Sequence, residues 1–82
     1  MQVLPIHPEV EVFLKKRGLK KKFEKQKRLF EVSPFYPSLE TDLLEPRQMK
    51  IWSFRLDRKY RVIFIFRNKE TIEIIDINNH YQ

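Results

Sequence analysis

Residues 50–82 read Lys50-Ile51-Trp52-Ser53-Phe54-Arg55-Leu56-Asp57-Arg58-Lys59, then Tyr60-Arg61-Val62-Ile63-Phe64-Ile65-Phe66-Arg67-Asn68-Lys69-Glu70, then Thr71-Ile72-Glu73-Ile74-Ile75-Asp76-Ile77-Asn78-Asn79-His80-Tyr81-Gln82. Three β-strands account for them. Over residues 51–56, Trp52, Phe54 and Leu56 alternate with Ile51, Ser53 and Arg55, the period of a strand with one buried face. Residues 60–66 are β-branched or aromatic on both faces, broken only by Arg61, which suits a central strand covered on both sides. A turn at residues 67–70 leads into a third strand at 71–77. Connections this short join strands as antiparallel hairpins, so the predicted unit is a three-stranded meander.

A meander has a testable register. With the first hairpin centred on Arg58, Arg55 lies directly opposite Arg61. With the second centred between Asn68 and Lys69, Arg61 lies opposite Asp76 and Ile63 opposite Ile74. The alternation then carries His80 to the face that holds Arg61. Like charges placed opposite each other destabilise a sheet, so a pair of arginines joined by a histidine on one face suggests a site for an anion such as a phosphate. The plain alternative is that both arginines extend along the surface into solvent, with Asp76 neutralising one of them.

The order Trp52-Ser53-Phe54-Arg55, Tyr60-Arg61-Val62-Ile63-Phe64 and terminal His80-Tyr81 resembles the C-terminal half of the RelE/ParE superfamily of bacterial type II toxins. The YoeB-like and HigB-like messenger-RNA interferases are nearest in pattern. The resemblance covers residues 50–82 and is looser upstream, where two basic helices precede Pro37-Ser38-Leu39. It implies an α+β fold with two N-terminal helices, an αα-hairpin, packed on a small antiparallel sheet. It also implies a toxin that cleaves messenger RNA on the ribosome, and a cognate antitoxin as partner.

RNA carries its own nucleophile, the 2′-hydroxyl. Cleavage then needs a base to take its proton, cations to stabilise the pentacoordinate phosphorus, and an acid for the leaving 5′-oxygen. No cofactor or metal is called for. Under the resemblance Arg61 stabilises the transition state and Arg55 holds the scissile or neighbouring phosphate. His80, with a solution pKa of about 6.5, is the acid. Tyr81 stacks on a nucleobase or orients the phosphate; against both roles stands a frayed chain end. The base departs from the pattern. Aligning Leu39 with the YoeB-like branch puts Pro37 where that branch has a glutamate. Glu40, Asp42 and Glu45 are candidates, and because other branches use lysine, so are Lys50 and Lys59. Two further readings stay open: a ParE-like toxin that poisons DNA gyrase by protein contact, and a non-catalytic basic module that binds RNA or an antitoxin.

The 82 residues contain no obvious linker and read as one domain over 1–82, near the lower limit for a self-sufficient core. With no cysteine there are no disulfides or thiolate ligands, and two well-separated histidines, His7 and His80, argue against a zinc site. Residues 1–6 are too short for a signal sequence and no 18-residue apolar run exists, so a cytoplasmic protein is expected. A net charge of +6 and a pI of about 9.8 point to a polyanionic partner.

Residues 1–6 are apolar and are expected to form an edge strand, where Pro5 is tolerated. His7 reads as a loop residue. Pro8 suits the first turn of a helix with Glu9 and Glu11 near its positive end and Val10, Phe13 and Leu14 as its apolar stripe. Gly18, the only glycine, stops it. A second helix over residues 19–30 presents Leu19, Phe23 and Phe30, with Gln26 in the stripe between them. The rest is strongly cationic: Lys15, Lys16, Arg17, Lys20, Lys21, Lys22, Lys25, Lys27 and Arg28, with Glu24 the only opposing charge in that run. So dense a run has no evident structural use beyond a solvated face, and it suits attachment to RNA phosphates; in the resembled family such a surface contacts ribosomal RNA. Residues 33–38 read as a turn-prone connector. Leu39, Leu43 and Leu44 are expected to pin the following segment to the sheet, and Pro46-Arg47-Gln48 to turn into the first long strand.

Overall fold

Pro8 opens helix α1 (Pro8–Lys16), with Glu9 and Glu11 in its first turn and Lys15 and Lys16 in its last, charges that complement the helix dipole at both ends. Gly18 ends it at φ +65°. No atom lies within 4 Å of where a Cβ would sit, so glycine is required there by backbone conformation rather than by crowding. The Leu19 N–H then donates to the Leu14 carbonyl at 2.9 Å, closing the turn in the manner of a Schellman cap, and α2 (Lys20–Val32) follows. In the computed structural model, which describes residues 1–79, the two helices lie on one face of a five-stranded sheet. The predicted acid and stacking residues, His80 and Tyr81, lie outside the described residues.

The sheet contains β1 (Gln2–Val3), β2 (Asp42–Leu43), β3 (Trp52–Arg55), β4 (Tyr60–Asn68) and β5 (Thr71–Asn79), in the spatial order β1-β5-β4-β3-β2. Strands β2 to β5 are antiparallel neighbours, but β1 pairs in parallel with β5. The sheet is therefore mixed, not purely antiparallel, and residues 1–6 do supply an edge strand. The opposite edge, β2, is absent from the sequence reading because two residues are too short to display a period.

Leu19, Phe23, Gln26 and Phe30 are all buried against the sheet, as the helical stripe predicts. The Phe30 ring lies 5.0 Å from both Phe54 and Phe64, centroid to centroid. Around these rings Leu14, Leu39, Val62, Ile72 and Ile74 are buried completely or nearly so. Gln26, the polar residue in the stripe, donates its amide to the Arg55 carbonyl at 2.7 Å; that satisfied bond makes its burial tolerable and ties α2 to the end of β3. At the far corner of the sheet, His7 Nε2 lies 2.7 Å from Glu73 Oε2, fixing the loop before α1 to β5. His7 is thus a loop residue, as expected. Hydrogen bonding to His7, together with Arg67, outweighs burial and holds the Glu73 carboxyl below the usual range.

The first hairpin has the predicted register, with Arg55 opposite Arg61 and Trp52 opposite Phe64. Asp57 shapes its turn by accepting from the Lys59 and Tyr60 N–H groups, each at 2.8 Å. Burial disfavours ionisation of Asp57, but those bonds and Lys22 more than compensate and lower its pKa. The second hairpin corrects the prediction. Arg61 lies opposite Asn78, not Asp76; Ile63 faces Asp76, and Ile74 faces Phe64. Register shifts interrupt the pairing between Ile63 and Phe64 and between Phe66 and Asn68, leaving Ile75 and Arg67 as the extra residues. The cause is in the isoleucines. Ile72 and Ile74 share one parity and Ile77 has the other, so an unbroken strand could not bury all three; a bulge at Ile75 returns Ile77 to the core face. Ile75 itself is exposed, while the other three are buried. No helix among the described residues is long and apolar enough to cross a membrane.

Candidate functional site

Arg55 and Arg61, cross-strand partners on β3 and β4, project from the sheet face away from the helices. Between them lies a residue from another part of the chain. A 3₁₀ turn, Pro37–Leu39, is anchored by the fully buried Leu39 and ends at Glu40. Glu40 has φ 48° and ψ 48°, a left-handed conformation that costs a residue with a Cβ about 1–2 kcal/mol. Its carboxylate bridges the two arginines: Oε2 accepts from Arg55 Nη1 at 3.3 Å, and Oε1 lies 3.8 Å from Arg61 Nη1.

Arg61 is held from several sides. Its Nε donates to Ser53 Oγ at 2.8 Å, and Nη2 donates to the carbonyls of Glu40 and Ser53. Burial, first, and the nearby Arg55 charge hold its pKa below the ordinary arginine value, while the Glu40 and Asp42 carboxylates oppose the shift. Its side chain is 14% exposed against 37% for Arg55 and 59% for Glu40, so a fixed cation sits beside a carboxylate that is largely in water. Asp42, paired with Ser53 across β2 and β3, shares this face. Of the other three candidate bases, Glu45 pairs with Arg47 at 3.4 Å and the Lys59 ammonium lies 5.4 Å from the Tyr60 ring centroid. Lys50 is exposed, and its backbone N–H caps the 3₁₀ turn Arg47–Met49.

Beside the bridge opens a cleft of about 380 Å³ between α2 and the β3–β4 hairpin, lined by Lys22, Lys25, Ser38, Glu40, Arg55 and Arg58. A second cavity, of about 390 Å³, lies between α1 and β5 and contains neither arginine of the pair. Among the described residues no group of three or more metal-ligating side chains is clustered.

The structure divides the lysine-dense run. Lys20 donates to both oxygens of Glu11, at 2.7 and 2.9 Å, which raises the Lys20 pKa and lowers that of Glu11. Arg17 lies 4.0 Å over the Phe13 ring and donates to Tyr60 Oη. Lys15 pairs with Glu11, Lys27 with Glu31 and Lys22 with Asp57. Part of the run therefore joins α1 to α2 and the helices to the sheet, which corrects the reading that it has no structural use. Glu11, Glu31 and Asp57 oppose it besides Glu24. Lys16, Lys21, Lys25 and Arg28 are exposed and make no ion pair among the described residues; the last three follow one ridge of α2 at i, i+4 and i+7.

Ser53 was not among the sequence candidates, although a signal existed. The predicted register makes it the diagonal neighbour of Arg61 on the same face, within reach of a long side chain. Glu40 carried no comparable signal, because its place depends on a left-handed backbone that local preference does not announce for glutamate.

No protein-family model matches the sequence, and no curated protein matches it. Solved structures do. The YoeB/ParE toxin from Agrobacterium tumefaciens superposes with a TM-score of 0.70 at 20% identity, over 99% of this chain and 100% of that one. The YoeB–YefM complex from Staphylococcus aureus matches with a TM-score of 0.70 at 13% identity, over 99% and 98%. YafQ from E. coli matches with a TM-score of 0.72 at 8% identity, over 96% and 90%. Two helices on a mixed five-stranded sheet, matched nearly end to end by these three structures, show that this chain has the fold of the RelE/ParE-like toxins.

Proposed function

We propose that the protein is the toxin of a toxin–antitoxin pair and cleaves messenger RNA on the ribosome, with Glu40 as the general base. The observation that carries this reading is the Glu40 carboxylate set between Arg55 and Arg61, an acid–base group beside two phosphate-seeking cations. Glu40 accepts the proton of a 2′-hydroxyl, whose oxygen attacks the adjacent phosphorus. A 2′,3′-cyclic phosphate forms and the bond to the 5′-oxygen breaks. Arg61, pre-positioned by Ser53, stabilises the charge that develops on the phosphoryl oxygens, and Arg55 holds the phosphate from the more exposed side. His80 is assigned the proton for the departing 5′-oxygen and Tyr81 a stacking role, both on chemistry and sequence order alone. An acidic antitoxin segment, encoded next to the toxin, is the proposed protein partner; its acidity complements the +6 charge of this chain. YoeB of S. aureus, which shares the fold, forms a toxin–antitoxin complex with YefM.

Inducing the wild-type protein in bacteria is expected to arrest growth and protein synthesis and to produce new 5′ ends within transcripts. Glu40→Gln should relieve all three. Sequencing the 5′ ends after induction is the test. Damage to DNA with translation continuing would indicate a gyrase poison instead. A wild type that is toxic to the same degree as Glu40→Gln would point to a binding module.

The cationic ridge is assigned to the ribosome. Changing Lys21, Lys25 and Arg28 together to Gln is expected to raise the ribosome concentration for half-maximal cleavage, leaving the saturated rate within a few-fold. The salt slope should fall by about 0.7 to 0.9 for each phosphate that is no longer neutralised. Changing Lys20 and Lys27, which pair with Glu11 and Glu31, should alter the slope less. Cleavage measured against ribosome concentration at two salt levels distinguishes the two sets, and equal slopes for both would remove the ridge from the interface.

A further inference from the structure

From this geometry we infer that Glu40 occupies the seat of the substrate's phosphate in the free protein, so that an incoming phosphodiester must displace its carboxylate from Arg55 and Arg61. The inference deepens the reading of this face as the phosphate-binding face and rests on it. A carboxylate and a phosphate present the same feature to a guanidinium pair, two oxygens on one central atom, and the bridge from Oε2 to Arg55 and Oε1 to Arg61 is the contact a phosphate would make. Two arginines placed opposite each other on a sheet repel when nothing lies between them. Glu40 screens them until a phosphate does.

The residue is built to leave without being lost. Its side chain is 59% exposed, so the carboxylate has water to move into. Its backbone is fixed: the Glu40 carbonyl accepts from Arg61 Nη2, its N–H donates to the Pro37 carbonyl at 3.2 Å, and the preceding Leu39 is fully buried. Displacing the carboxylate therefore keeps it within a side chain's length of the phosphate that replaces it, where a base for the adjacent 2′-hydroxyl is needed. Binding of phosphate and readiness of the base become one event, and the affinity of the free protein for phosphate is lower than two bare arginines would give.

The consequence is a variant whose binding and chemistry move in opposite directions. Glu40→Gln keeps the shape, removes the competing charge and removes the base. Its affinity for inorganic phosphate is expected to be about three- to tenfold higher than that of the wild type, whereas cleavage is lost. Glu45→Gln makes the same change of net charge on an exposed residue whose ion-pair partner is Arg47; it should bind phosphate as the wild type does. The measurement is a phosphate titration at constant ionic strength, followed by the arginine Nε–H resonances in nitrogen-15 NMR. Equal or weaker binding by Glu40→Gln, or an equal gain in Glu45→Gln, would overturn the inference. The titration uses neither RNA nor ribosomes. Tighter phosphate binding in a protein that cuts no transcript would defeat the nuclease reading alone, and a flat titration in a protein that does cut would defeat only the displacement.

Discussion

Arg61→Ala is expected to lower the rate of messenger-RNA cleavage on saturating ribosomes by about 100- to 1,000-fold, the usual loss when one pre-positioned donor to a developing charge is removed. Under the proposed function the ribosome concentration for half-maximal rate should change little, because attachment is there assigned to the α2 ridge and Arg61 to charge that appears during reaction. The geometry supports so large an effect. Nε is spoken for by Ser53 Oγ and Nη2 by two carbonyls, so the guanidinium loses little freedom as the transition state forms. Arg61→Lys retains the charge but not the planar fork that makes these bonds together, and most of the loss should persist. Ser53→Ala, which frees Nε, should fall between wild type and Arg61→Ala. Single-turnover cleavage against ribosome concentration separates rate from affinity, with circular dichroism to confirm folding. If Arg61→Ala loses affinity and keeps its saturated rate, the catalytic face is a different one.

Phe64→Ala should act on the fold itself. Phe64 is fully buried and its ring centroid lies within 6.5 Å of those of Phe30, Phe54, Trp52 and Phe66. Replacing a buried phenylalanine with alanine typically costs about 3–5 kcal/mol, as lost transfer energy plus the cavity left behind. Domains are stable by about 5–15 kcal/mol in total, and small ones lie near the bottom of that range. The variant should therefore melt at least about 12 °C lower, taking 4–8 °C per kcal/mol for this size, and be substantially unfolded at 37 °C. Ile65→Ala, on the opposite face and half-buried, should cost much less. Thermal unfolding by circular dichroism is the check; a fall of only a few degrees for Phe64→Ala would mean that the aromatic cluster does not form the core.

Much of this architecture is legible without coordinates, for local reasons. The alternation of Trp52, Phe54 and Leu56 with Ser53 and Arg55 determines both faces of β3. The three-residue connection at Asp57-Arg58-Lys59 leaves one sensible register, which sets Arg55 opposite Arg61. Gly18 and Pro8 mark the helix limits because each answers a backbone requirement that other residues meet poorly. Leu19, Phe23, Gln26 and Phe30 identify the buried side of α2 by helical spacing alone.

The tertiary structure decided what depends on competition between distant groups. The register of β5 was not legible, since the bulge at Ile75 arises from the demand of the shared core for Ile72, Ile74 and Ile77 together. The lysine run looked uniform, and only packing separates Lys20, bound to Glu11, from Lys21, Lys25 and Arg28 on the open ridge. Most of all, the sequence left five candidates for the base without ranking them. Glu40, the base we propose, is set apart from the others by a buried anchor at Leu39, a left-handed backbone, and two arginines that reach it from strands 15 and 21 residues further along the chain. Such an arrangement has no period and no local preference to reveal it, because the electrostatic need it meets exists only once β3 and β4 have set their cations side by side.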